Sequence, residues 1–593
     1  MLPFKKFITL RASTYNIQKY MSTETTNNNN GHPRGLYLLF FTEMWERYSY
    51  YGMRAIFILY MTKAMFMTGA DASNIYGSYT GLVYLTPLLG GYIADRFWGN
   101  RKSILIGGLL MAVGQFLMFV SGSSVTDGVQ NASSISMMWA GLTFLIIGNG
   151  FFKPNISTMV GQLYPKGDHR IDGAFTIFYM GINLGAFFSP LICGGLGDTG
   201  NIHDFRWGFL AACIGMIISV VSFELLKNKH LRTPDGTAVG MPKQKMDMKT
   251  GLTILGSVAL IFFLMNFKSL FKTEIDITAY LIYAAIVVMP VIIFSDKSLV
   301  SDEKQRISVI FILAFFVIFF WACFEQAGAS LTLFADTQVK REVQMFAPGW
   351  LILAFSLALG YFLVKALSWF FEWKKNTQVI VQVVVATALL VLYFTGYIPD
   401  FVKNEFPASW FQSINPLGII VLAPLFTMFW NALHKKNLEP TSPMKMAFGL
   451  LLVALGFVVI AYGVHGVDSQ TKISMWWLIA LYIIHTMGEL SLSPIGLSMV
   501  SKLAPLRFSS LLMGTWFLAN AVANKFAGTL SALIPPGAGE TPAEAAAKIP
   551  TFLGIEITNL FTFFCVFIAL SGAAAVILFG IYRWLEKRMH GVH

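Results

Sequence analysis

Four charged residues stand inside an apolar run long enough to cross a membrane: Glu43, Glu46, Arg47 and Arg54, within residues 36–61. A charge at the centre of a bilayer costs roughly 3 kcal/mol on insertion scales. One helix tolerates four of them only where they face protein, water or one another. Glu43, Glu46 and Arg47 fall at i, i+3 and i+4, so they share a helical face that Tyr50, Tyr51 and Arg54 continue. A buried, ionisable stripe of this kind reads as a path for a substrate or an ion. Two more segments carry a related signature. Lys153 lies near the end of an apolar span and precedes Pro154, while Glu489 lies in a later span ahead of Ser493 and Pro494. Polar, Pro-interrupted segments at corresponding places in two halves of a chain point to the central site of a transporter. Their opposite charges would pair across the seam between halves, and Arg54 has a similar candidate partner in Glu325.

The chemistry these residues suit is binding and proton exchange. Protonating Glu325 or Glu489 would remove one charge of a pair and weaken the bridge that holds a gate closed. No nucleotide-binding loop appears, and the scattered His and acidic residues lack metal spacing, so no metal, cofactor or enzymatic activity is expected. Cys193, Cys213, Cys323 and Cys565 all fall in apolar spans without ligand or disulfide spacing and read as packing residues.

The elements that position these groups are helices. The 593-residue chain is 55% hydrophobic and 12% charged, the composition of a polytopic helical membrane protein. Its net charge of +12 sits in alternate short loops, which argues for membrane orientation and against nucleic-acid binding. With about 20 apolar residues needed per span, sixteen spans are expected: 36–61, 74–95, 102–121, 137–158, 171–195, 207–227, 252–267, 276–296, 306–328, 349–371, 377–399, 412–433, 445–464, 474–500, 508–533 and 557–583. The basic loops place both termini in the cytoplasm.

The expected divisions follow from these spans. A disordered cytoplasmic tail (1–35) precedes an N-terminal six-helix bundle (36–228). A cytoplasmic linker with an inserted helix pair (229–305) leads to the first helix of a C-terminal bundle (306–335). A second inserted pair (349–399), read as lipid-facing, precedes five further helices (408–584) and a short tail (585–593). No cleavable signal peptide is read before the first span, and Met21 is an alternative start. Lys365 and Lys525 are expected to snorkel. His485, one turn before Glu489, is read as a hydrogen-bonded structural histidine or a modulator of that carboxylate.

Several motifs carry a resemblance. Gly91-Tyr-Ile-Ala-Asp95-Arg96-Phe-Trp-Gly99-Asn-Arg101-Lys102 resembles the G-x-x-x-D-R-x-G-R-R loop of the major facilitator superfamily, with one extra residue. Glu43-Met-Trp-Glu46-Arg47-Tyr-Ser-Tyr-Tyr51-Gly52 resembles the E-x-x-E-R-F-x-Y-Y-G motif of the proton-dependent oligopeptide transporters, Tyr48 replacing Phe. Phe178-Tyr-Met-Gly-Ile-Asn183-Leu-Gly185 is similar to their F-Y-x-x-I-N-x-G motif. Gly488-Glu489-Leu-Ser-Leu-Ser493-Pro494-Ile-Gly496 and Trp410-Phe-Gln412-Ser-Ile-Asn415-Pro416 agree as well.

The resemblance implies an all-α major facilitator fold of two six-helix bundles, here with two added transmembrane hairpins. It also implies a monomeric symporter of the bacterial inner membrane that imports di- and tripeptides with protons. Glu43, Glu46, Arg47, Glu325 and Glu489 would then couple protons. Arg54–Glu325 and Lys153–Glu489 would serve as outer and inner gate pairs. Arg47, Arg54 and Lys153 could take a peptide carboxylate, Glu489 the ammonium group, and Asn183 and Asn415 the amide and termini. Tyr51, Tyr84, Trp321 and Trp516 would line side-chain pockets, with Glu325 and Ser493 beside the substrate. Two departures limit the carry-over: Phe324 stands where some relatives have a second carboxylate, and the second helix has no His. The rival expectations are the same fold with another solute (an amino-acid derivative, nitrate or a glycosylated metabolite) and a non-transporting receptor or scaffold.

Overall fold

The computed structural model describes residues 31–165, 167–242, 248–271, 273, 275–396, 400–468, 471–535 and 549–591. The expected tail up to residue 30, with Met21, lies outside the described residues. Among the described residues, twelve helices are long and apolar enough to cross a membrane.

α1 (Arg34–Leu59) is buried on nearly every side and ends in a π turn over Tyr60–Ala64. It runs from a face termed proximal here to the opposite, distal face. α2 (Gly69–Leu85) opens on Thr68, whose hydroxyl accepts the Asp71 N–H at 3.1 Å, a side-chain cap of the kind that satisfies a helix's free donors. α3 (Pro87–Ile93) continues it to Trp98, and Gly99, at φ +68°, turns the chain into α4 (Gly99–Ser123). A side chain at Gly99 would also run into the backbone of Gly240 and Met241, so glycine is required there. α5 (Ala132–Gln162) is capped by Asn131; α6 (Ile171–Ser189) and α7 (Phe205–His230) complete a bundle in which α1 packs on α6 and α7, and α4 on α5 and α7.

α8 (Met248–Phe271) and α9 (Ile277–Phe294) form the first inserted pair; α8 exceeds its expected limits of 252–267 by several residues at each end. The second bundle comprises α10 (Ser301–Phe324), α11 (Ser330–Gln338), α14 (Ile414–Lys435), α15 (Ser442–Val464), α16 (Met475–Leu503), α17 (Ser509–Ser531) and α18 (Leu560–Arg588). Here α10 packs on α17 and α18, and α15 on α16 and α18. Between α11 and α14 the chain makes β1 (Val339–Lys340), β2 (Glu342–Ala347), the pair α12 (Gly349–Phe371) and α13 (Lys375–Phe394), and β3 (Phe401–Glu405). β2 and β3 pair antiparallel, and β1 pairs in parallel with β4 (Ile473–Ser474). No residue of α13 is buried.

The bundles meet along two seams, α2 with α17 and α6 with α14. On the first, a Cβ at Gly77 would lie 2.7 Å from the Gly528 Cα, and the Ser73 and Ser531 hydroxyls are 2.8 Å apart. Small residues allow this approach, which in a membrane is held by dispersion and hydrogen bonds rather than by expulsion of water. Lys525 does not snorkel as expected: it is 1% exposed and holds Asp276, the cap of α9, at 2.5 Å and the Ser78 hydroxyl at 2.8 Å. The packing of α9 against α17 covers it, and an ion pair replaces water.

Candidate functional site

The α1 stripe folds into a compact cluster. Arg47 Nε donates to Glu43 Oε1 at 2.7 Å and lies 3.2 Å from Glu46 Oε2. Asn149, on the facing side of α5, donates its amide to Glu46 Oε1 at 3.1 Å. All four side chains are buried. Two carboxylates share the one guanidinium, and Glu43 Oε2 accepts no hydrogen bond.

A helix break positions Glu325. α10 stops at Phe324, a 3₁₀ turn covers Glu325–Gly328, and α11 resumes after Ala329. The break aims the Glu325 carboxylate at α1, where it forms an ion pair with Arg54. Arg54 Nε also donates to the Tyr76 hydroxyl of α2 at 2.5 Å, and its guanidinium lies 5.6 Å from the centre of the Tyr51 ring. Gly328 makes room for this: a Cβ there would stand 1.9 Å from the Tyr76 oxygen.

Lys153 and Glu489 are not joined in this conformation. The Lys153 ammonium sits over Tyr84, 3.9 Å from the ring centre, while Glu489 Oε2 accepts the Asn415 amide at 2.9 Å. Asn415, in the first turn of α14, also donates to the Thr486 hydroxyl at 3.1 Å and thereby ties α14 to α16.

A cavity of about 170 Å³ lies between the bundles. It is bordered by Tyr51, Arg54, Tyr84, Asn183, Trp321, Glu325, Asn415 and Glu489, all of them sequence candidates. Glu43, Glu46, Arg47, Lys153 and Trp516, candidates too, are not among its lining residues; Trp516 packs over Gly496 instead. The Ser493 side chain lies outside the described residues. Sequence reasoning missed Tyr76, Asn149, Tyr179, Gln412 and Tyr482. Tyr179 and Gln412 lie inside motifs already quoted, and Asn149 is one turn before Lys153, so a helical-face argument could have found those three. His485 borders the cavity between Phe324 and Phe457, its Nε2–H donating to the Val453 carbonyl at 3.1 Å.

The cavity is closed distally. Beyond Arg54–Glu325, Gln412 reaches the Thr332 hydroxyl at 3.0 Å, Ser413 donates to the Phe187 carbonyl at 2.9 Å and Trp410 to that of Leu191 at 3.1 Å. On the proximal side Tyr179, a lining residue, is 41% exposed. The site thus offers separated positive and negative poles, amides between them and aromatic walls.

The chain matches the model of the POT family over residues 101–353 and 388–544; the interval left out falls within α12 and α13. It is 31% identical to the peptide transporter YePEPT of Yersinia enterocolitica, over 88% of this chain and 90% of that one. It is 30% identical to a di-/tripeptide transporter of Lactococcus lactis, over 83% and 87% respectively. Among solved structures it resembles a mutant of peptide transporter POT in complex with alafosfalin, with a TM-score of 0.70, 29% identity and coverage of 95% and 97%. A POT family transporter in complex with 5-aminolevulinic acid gives a TM-score of 0.70, 30% identity and coverage of 95% and 98%. With its cavity set between two bundles and its sequence matched over most of its length, the chain belongs to the POT family and is a multi-pass membrane transporter.

Proposed function

We propose that this transporter is a proton-coupled symporter that imports di- and tripeptides by alternating access. The observation that carries the reading is the cavity itself: Arg54–Glu325 at one pole, Glu489 at the other and two asparagine amides in reach. A zwitterionic peptide needs both poles, whereas a simple anion needs only the cation. Glu489 receives the ammonium group. Arg54, with Arg47 and Lys153 behind it, draws the carboxylate. In the distal-closed state Arg54–Glu325 is formed, and proton arrival at Glu325 weakens it. Lys153, resting on Tyr84, swings to Glu489 when the proximal side closes.

The proximal face is assigned to the cytoplasm of a bacterial inner membrane, with both termini there and a single chain as the working unit. All sixteen expected spans are proposed to cross. The 69–123 stretch turns back at Gly99, and α1, α8 and α17 join the twelve helices that stand out by hydropathy. The expected divisions, from the 36–228 bundle to the 408–584 helices, are retained.

A second cargo class is favoured by the cavity's size. At about 170 Å³ it is below the usual range of ligand pockets, roughly 300 Å³ upward, which suits small amino-acid derivatives as well as the shortest peptides.

The test is uptake of labelled dialanine into proteoliposomes under an inward proton gradient, for the unmodified protein and Glu489→Gln. Accumulation that the variant loses is the expected result. Accumulation that survives moves the coupling to the Glu43–Glu46–Arg47 cluster or Glu325. No uptake by well-folded unmodified protein defeats the peptide assignment.

A further inference from the structure

The second inserted pair, α12–α13, is rooted in one bundle and lands on the other. Its distal root is bound to the second bundle. β1 pairs with β4 at the start of α16, and Arg341, at the beginning of β2, reaches Asp336 at 3.1 Å and Glu405 of β3 at 2.8 Å. Asp336 is shared. Lys63, at the distal end of α1, holds the same carboxylate at 2.6 Å and stands 3.9 Å from Asp198 of the first bundle. The root of the hairpin therefore joins a line of alternating charges that crosses the distal seam.

The proximal turn is held by the first bundle. Glu372 forms ion pairs with Arg34, at the start of α1, and with Lys229, at the end of α7, the latter at 2.7 Å. Trp369 lies edge-on to Tyr37 at 5.3 Å, and the Phe370 carbonyl accepts the His230 Nε2–H at 3.0 Å. Glu372 adopts the left-handed conformation, φ +53° and ψ +45°, at a helix end where glycine is the usual choice. A strained non-glycine residue persists where its surroundings over-determine it and points to a function for its side chain. The hydrogen bond from Lys229, with Arg34 nearby, holds its carboxyl below the usual carboxylate range.

We propose that α12–α13 is a brace between the two bundles, fixed distally through Arg341 and proximally through Glu372, which biases the transporter toward the distal-closed conformation. This rests on the alternating-access reading above. When the distal seam opens, Lys63 must leave Asp336 and the bundles must rotate. A hairpin held by one bundle at its root and by the other at its turn cannot follow both, so one attachment has to yield. The family match lapses over residues 354–387, consistent with a device added to the transport core.

The test reads distances rather than transport. Spin labels on Val129→Cys and Thr551→Cys, in exposed distal segments of the two bundles, are measured by double electron–electron resonance in a Cys565→Ser background; the remaining cysteines are buried. Glu372→Lys is expected to raise the ratio of long to short distal distances at least about threefold, as loss of two modest ion pairs allows. Adding Arg34→Glu and Lys229→Glu, which restores opposite charges, is expected to return the ratio to that of the unmodified protein. An unmoved distribution in Glu372→Lys, or a shift the charge swap does not reverse, overturns the proposal. If Glu372→Lys fails to fold, Arg341→Gln is expected to shift the distances in the same direction, and unmoved distances there overturn it equally. Dialanine uptake measured in parallel separates the two readings. Its absence in the unmodified protein counts against peptide transport, whereas intact uptake with unmoved distances counts against the brace.

Discussion

Arg54 shows how one side chain is held by groups that no local spacing predicts. Its partners are Tyr76, Tyr51 and Glu325, the last 271 residues away along the chain. Removing one member of a buried ion pair leaves an uncompensated charge, at a cost of about 3–5 kcal/mol, more than removing both. Glu325→Gln is therefore expected to lower the thermal stability of the detergent-solubilised protein, and Arg54→Gln combined with Glu325→Gln to recover most of the loss. A double variant no more stable than the worse single one would show that the pair is not the term holding this contact. Both variants are expected to lose gradient-driven uptake, because Glu325 is proposed to carry the proton that opens the gate.

Among the elements, the α2–α17 seam is one of the two along which the bundles meet. Gly77 and Gly528 let the backbones touch, and the Ser73 and Ser531 hydroxyls face each other across them at 2.8 Å. With their hydroxyls 2.8 Å apart, these two places suit a pair of cysteines as a cross-link across the seam. Ser73→Cys with Ser531→Cys is expected to cross-link under oxidant and lose uptake, with recovery on reduction. Uptake that continues with the cross-link fully formed would mean that the distal seam need not open, and alternating access through it would fail. α10 illustrates a second element-level point. Its break at Glu325–Gly328 looks like a defect in a helix, yet it is what turns the carboxylate toward α1.

For the molecule as a whole, the driving force is set by the membrane rather than by the fold. One charge falling through 100 mV supplies about 2.3 kcal/mol, or about fiftyfold accumulation per proton carried. Dialanine accumulation is expected to approach that level at an imposed potential of that size and to collapse when an ionophore dissipates it. The pH dependence of uptake is expected to come from the buried carboxylates and not from the proximal loops. Asp168 is the control, since hydrogen bonds from Arg170 hold its carboxyl down at about 2. A depressed folded value contributes stability above the ordinary value of 3.8 that is lost as pH falls through about 2. Between about pH 5 and pH 8 the group stays charged and adds no slope. Asp168→Asn should leave the uptake profile unchanged over that interval, and a displaced profile would place a coupling step at the proximal loop.

The membrane class, the helical architecture and the stripe on α1 were legible in the sequence because hydropathy and the 3.6-residue period are local properties. The poles of the cavity were legible too, since charges inside apolar spans are costly enough to be conspicuous. Tyr76 and Asn149 were not: an uncharged polar residue in an apolar helix carries little signal until the helix packs beside its partner. Lys525 was misread for the same reason, its partner Asp276 lying in a separate inserted helix. The resting place of Lys153 over Tyr84, and the absence of its pairing with Glu489, belong to one conformation of the protein, and one sequence encodes every conformation at once. The landing of α12–α13 on the opposite bundle also had to await the fold. Glu372 meets Arg34 and Lys229 only after the chain has crossed the membrane many times, and contacts that arise from packing between distant segments leave no period in the sequence to read.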